Sequence, residues 1–102
     1  MKENYRKIEK DLFKLQNSFD WVDTVNCIEM SYILKGQKEI EELDNVIYNY
    51  ANDGINTFGL FIMICCNKYR KNYNGLSIVD FINEEIENCI KEFITKYFEN
   101  NE

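Results

Sequence analysis

The sequence predicts an all-α fold, a compact bundle of four to five helices around a buried central helix at about residues 57–73. Three observations carry that expectation. Phe58–Cys66 is a run of apolar or small residues, and an element that is apolar on every side has to be enclosed on every side. The other long segments repeat their apolar residues at steps of three and four, the helical period. Proline is absent, and no low-complexity stretch or linker divides the chain, so residues 1–102 read as one domain. A chain of 102 residues is long enough to bury a core without disulfides or metals.

Each element can be justified in turn. Residues 2–18 form the first helix, in which Tyr5, Ile8, Leu12, Leu15 and Phe19 make a narrow heptad seam opposite Arg6, Lys7, Lys10 and Lys14. In residues 20–35, Asp20 is the N-cap, and Trp21, Val25, Ile28 and Tyr32 recur at 4-3-4 spacing as the expected core-facing stripe. The same segment also alternates (Ile28, Met30, Tyr32 and Leu34 against Cys27, Glu29, Ser31 and Ile33), a strand pattern. The lack of a partner strand favours a helix, ended by Gly36. Residues 37–52 carry Ile40, Leu43, Ile47 and Tyr50 on one face, with Glu39, Glu41 and Glu42 near the positive end of the helix dipole. Asn52-Asp53-Gly54 is expected to stop this helix, with Gly54 in the left-handed conformation.

The central helix, 57–73, takes Asn56 or Thr57 as its cap and extends its stripe through Tyr69 and Tyr73. Asn74-Gly75 then turns the chain. Ser77 and Asp80 have the spacing of a capping box and open a helix over 78–99. Ile78, Ile82, Ile86, Cys89, Ile90, Phe93 and Tyr97 line its inner face, and Asp80, Glu84, Glu87 and Lys91 lie opposite.

Composition excludes much common chemistry. Histidine is absent, which removes the usual general base, the Ser-His and Cys-His nucleophile pairs and the commonest metal ligand. Cys27, Cys65, Cys66 and Cys89 contain no C-x-x-C, and the adjacent pair diverges by roughly 100° on a helix, so a zinc site is not expected and all four read as buried free thiols. Asn49–Gly54 has the glycine of a calcium loop but Ala51 and Leu60 at ligand positions, so it reads as a helix stop. Gly36, Gly54, Gly59 and Gly75 form no phosphate loop, Gly59 being a candidate for a close helix contact. No catalytic, cofactor-binding or metal residue is assigned, and an enzyme is not expected.

What remains is surface. The net charge of −6 makes generic nucleic-acid binding unfavourable, although Lys68-Tyr69-Arg70-Lys71 mixes bases with an aromatic. Charge is segregated: residues 1–14 hold five bases and three acids and residues 54–76 three bases, whereas residues 38–53 hold five acids and one base and residues 77–102 seven acids and two bases. No apolar run is long enough to cross a membrane, and Met1-Lys2-Glu3-Asn4 opens straight into a charged helix, so the expected location is cytoplasmic. The Asn, Ile, Lys and Glu bias is that of an A/T-rich genome, as in low-GC bacteria and phages.

A small acidic helical domain of this kind is expected to act by binding a larger protein with a basic surface, as an inhibitor or neutraliser. Toxin-immunity and phage anti-defence proteins share this size, acidity and lack of catalytic motifs, though no residue motif ties the chain to a family. The candidate contact residues are Glu41, Asn45, Tyr48 and Asn52 on the third helix and Asp80, Glu84 and Glu87 on the last. The alternative is a structural subunit that forms a helical homodimer through the Tyr5–Phe19 seam or the surplus of aromatic residues.

Overall fold

The computed structural model describes residues 2–48, 54–72 and 75–98, with side chains from Tyr5 onward. Five helices account for nearly all of them: α1 (Lys2–Ser18), α2 (Trp21–Leu34), α3 (Lys38–Tyr48), α4 (Gly54–Asn72) and α5 (Ile78–Tyr97). No strand occurs among the described residues, so the all-α bundle is the observed architecture and segment 20–35 is helical.

The apolar run places α4 at the centre. It packs against all four other helices, most extensively α1 and α2, and no residue from Thr57 to Tyr69 is fully exposed. Aromatic rings join it to α5: Phe61 meets Phe93 edge-on at 5.4 Å and Tyr69 lies 5.4 Å from Phe81, while within α5 Phe93 lies 4.8 Å from Tyr97. On α1 the seam turns inward as its spacing requires, with Ile8 buried, Leu12, Leu15 and Phe19 half-buried, and only Tyr5 exposed. Ile40, Leu43 and Ile47 seat α3, which packs mainly on α5. The first three helices hardly touch one another; each finds its neighbours in α4 and α5.

The glycines divide by conformation. Gly36 (φ 83°) and Gly75 (φ 91°) occupy the left-handed region, as a helix stop and a turn require. Gly54 does not close α3. It opens α4, where a Cβ would come within 3.2 Å of Ile47 Cγ2, so its small size permits a close approach of the two helices. A Cβ on Gly59 would meet nothing within 4 Å, so this glycine leaves a notch open and marks no close contact. Tyr50, Asn52, Asp53, Tyr73 and Asn74 lie outside the described residues.

The largest departure from expectation is the rotation of α2. Its Trp21-Val25-Ile28-Tyr32 stripe faces solvent, and the opposite face, with Asp23, Met30 and Leu34 buried and Cys27 half-buried, packs inward. The cause is an ion pair. Asp23 closes a capping box with Asp20, accepting from the Asp20 backbone N–H at 3.3 Å while the Asp20 carboxylate accepts from the Asp23 N–H at 2.9 Å. The same Asp23 carboxylate, 3% exposed, accepts from the Arg70 guanidinium at 2.6 Å. Arg70 also donates to Asn67 Oδ1 and lies 5.9 Å from the centre of the Phe19 ring. A buried carboxylate whose counter-charge, the more exposed Arg70, sits on α4 fixes which side of α2 must face inward.

Removing one member of such a pair leaves the other charge uncompensated. Arg70→Leu is expected to lower stability in urea unfolding by about 3 kcal/mol, and Asp23→Leu/Arg70→Leu to recover most of that loss. Equal destabilisation by the single and double substitutions would show that the pair is not a coupled unit.

Candidate functional site

The outward side of α2 is the most distinctive surface of the molecule. Trp21 (77% exposed), Val22, Val25, Ile28 and Tyr32 (72%) lie along it, and among the residues of α2 only Glu29 adds an exposed charge. The stripe rises roughly 16 Å from Trp21 to Tyr32. At its C-terminal end it continues into a groove of about 360 Å³ between α2 and α4, where Ile28 and Tyr32 face Gly59, Ile62 and Met63. The heptad spacing of these residues is evident in the sequence. A second seam, Asp23-Cys27-Met30-Leu34, has the same 4-3-4 steps two residues further on, and spacing alone does not choose between the two.

The candidate contact residues singled out from the sequence are exposed: Glu41, Asn45 and Tyr48 on α3 and Asp80, Glu84 and Glu87 on α5. Asn52 lies outside the described residues. Because α3 packs on α5, the two acidic helices are neighbours. The groove between them, about 360 Å³, is lined by Lys38, Glu39, Glu42, Glu87, Ile90 and Lys91. It therefore brings Glu87 together with Glu39 and Glu42, while Glu41, Asn45 and Tyr48 do not line it. Lys38 and Lys91 offset part of its negative charge. The i, i+3 spacing of Glu39 and Glu42 was the available sign that these two acids share a face.

The four cysteines are free, but they are not four isolated thiols. The adjacent Cys65 and Cys66 point to different helices, where Cys66 meets Cys27 of α2 and Cys65 meets Cys89 of α5. The Cys66 thiol also donates to the Asp23 carbonyl oxygen, with Sγ 3.5 Å from it. Hydrogen bonding within each pair lowers the pKa of Cys27 and of Cys89, and the same bonds, together with burial, raise those of Cys66 and Cys65. Among the described residues no three Cys, Asp or Glu side chains gather as metal ligands.

A cleft of about 560 Å³ runs between α1, α4 and α5, with Lys14, Arg70, Lys71 and Lys96 around Leu15, Ile64 and Phe93. Its two carboxylates are held in contacts between helices. Asp11 accepts from the Tyr97 hydroxyl at 2.6 Å and lies 4.0 Å from Lys96 Nζ, and Glu92 pairs with Lys68 at 3.4 Å. Burial, and then the bond to Asp11, hold the Tyr97 hydroxyl well above the ordinary tyrosine range.

No protein-family model, curated protein or solved structure matches this chain. No helix among the described residues is long and apolar enough to cross a membrane.

The Tyr97 bond predicts a pH dependence. Below about pH 10 this tyrosine is protonated in the folded and unfolded chain alike, and its contribution to stability is fully present. Above that pH the unfolded chain gives up a proton that the folded chain keeps, so stability falls by about 1.4 kcal/mol per pH unit. Tyr97→Phe is expected to make the alkaline limb of the stability curve shallower by that slope in denaturant titrations from pH 8 to 11. An unchanged limb would mean that Tyr97 ionises as readily in the fold as outside it.

Proposed function

We propose that this protein is a binding module, not an enzyme, and that it works by surface contact with other proteins. The observation that carries this reading is the outward face of α2. Single exposed apolar residues are ordinary on protein surfaces, but a continuous helical stripe ending in Trp21 and Tyr32 is not. Trp and Tyr are also the side chains that most often anchor protein interfaces. Burying a large apolar side chain stabilises by about 1.5–3 kcal/mol, so a chain that leaves five apolar residues on one helix face gains by covering them.

A second surface favours a particular class of partner. The adjacency of α3 and α5 joins Glu39, Glu42 and Glu87 in one groove, with Asp80 and Glu84 continuing along α5. An acidic face of this kind steers association toward a larger protein with a basic surface. On this reading the protein acts stoichiometrically, covering a basic site as an inhibitor or neutraliser in the manner of immunity or anti-defence proteins.

Capture experiments from extracts of the native host test both surfaces. The wild-type chain is expected to retain bound protein in a salt-sensitive manner. Trp21→Ser/Tyr32→Ser should lose whatever covers α2, and Glu84→Lys/Glu87→Lys should weaken capture of the basic partner about tenfold, with both variants keeping native helix content. Identical captured sets, further copies of this chain included, for the wild type and both variants would overturn the reading.

A further inference from the structure

We infer that the occupant of α2's outward face is a second copy of this chain, the two α2 helices packing antiparallel about a two-fold axis that passes between Val25 and Ile28. The inference rests on the reading of α2 as a protein-contact surface and names what covers it.

The order of side chains supplies the first argument. In a two-fold contact, residue i meets residue j and residue j meets residue i, so the surface has to complement its own reverse. Along the stripe the order is aromatic, aliphatic, aliphatic, aromatic: Trp21, Val25, Ile28, Tyr32. Antiparallel pairing about its midpoint sets Trp21 of one copy against Tyr32 of the other, and Val25 against Ile28, each pairing occurring twice. A partner of unrelated sequence would have no need of this symmetry.

Charge supplies the second argument. Asp20 lies just before the stripe and Lys35 just after it, both exposed. Antiparallel packing brings the acidic end of one helix to the basic end of the other and opposes the helix dipoles. Parallel packing would set Asp20 beside Asp20 and Lys35 beside Lys35.

Area and shape supply the third. With aromatic side chains burying about 150–250 Å² each, the five exposed residues offer roughly 500–600 Å² per copy, or about 1,000–1,200 Å² over the pair, the lower edge of specific interfaces. The groove beside Tyr32 enlarges this area. Trp21 of the second copy arrives next to Tyr32, where the notch at Gly59 leaves room between Ile28 and Met63 for an aromatic ring. An interface of this size gives a reversible dimer, and it leaves the acidic groove between α3 and α5 outside the contact, so that the dimer presents it twice.

Purified full-length protein tests the inference directly. From about 1 µM to about 500 µM, light scattering is expected to show the mass rise from 12.3 kDa toward twice that value. Trp21 is the sole tryptophan, so its emission should shift to the blue in parallel. Val25→Lys/Ile28→Lys and Val25→Glu/Ile28→Glu change exposed positions to residues that favour helix, and each variant alone is expected to stay monomeric. Mixed one to one, they should restore the dimer. Gly59→Leu, whose Cβ would meet nothing within 4 Å, puts a side chain into the notch and should weaken association about tenfold or more.

A wild-type mass of 12.3 kDa with unshifted emission throughout would overturn the homodimer, as would dimers that persist in either charged variant. If the wild type is monomeric but Trp21→Ser/Tyr32→Ser still loses a host protein, the homodimer fails and the protein-contact reading stands. If the wild type is monomeric and that variant also captures the same proteins, both fail.

Discussion

The pairing of Asp23 with Arg70 sets the orientation on which the rest of the surface depends. α2 carries two seams of identical spacing, offset by two residues and so facing nearly opposite ways. By size and hydrophobicity, Trp21, Val25, Ile28 and Tyr32 are the stronger candidates for the interior. The seam that faces inward instead contains a carboxylate, which is costly to bury alone and acceptable only with its counter-charge and hydrogen bonds in place. Arg70, 47 residues away at the end of α4, supplies the counter-charge, and the Asp20 backbone supplies a further hydrogen bond. With that face fixed inward, the larger apolar residues of α2 are left outside.

The two halves of the fold have different characters. Around α4 and α5 the interior is closed by aromatic contacts and by tethers at the margins, such as Tyr97 to Asp11 and Lys68 to Glu92. Around α2 the burial is one-sided, with the groove beside Tyr32 open and Cys27 half-covered. The α3–α5 side is acidic and the cleft between α1 and α4 carries most of the clustered cations. One small chain thus offers an apolar face and an acidic face built from separate helices.

Most of the architecture was legible in the sequence. The run Phe58–Cys66 located the central helix, the Tyr5–Phe19 spacing gave the inner side of α1, and Ser77, whose hydroxyl accepts from the Asp80 N–H at 3.1 Å, marked the start of α5. These features are local, and local pattern suffices to read them. The rotation of α2 was not legible because it turns on a contact between distant residues, and hydrophobic periodicity cannot choose between two apolar seams on one helix. The acidic face was legible in part. Glu87 could be read as outward from its own helix, but its meeting with Glu39 and Glu42 depends on α3 lying against α5. The pairing of Cys65 and Cys66 with cysteines on two other helices was hidden for the same reason.

The order of contacts has a consequence for how the chain is made. α1, α2 and α3 leave the ribosome first and hardly touch one another, since each rests on α4 or α5. The nascent N-terminal half therefore has no hydrophobic platform to fold upon, and Asp23 waits for an arginine that has yet to be synthesised. Stable packing of α1 and α2 therefore waits for α4, and that of α3 for α5, so the first three helices share no interior until the later two have been made.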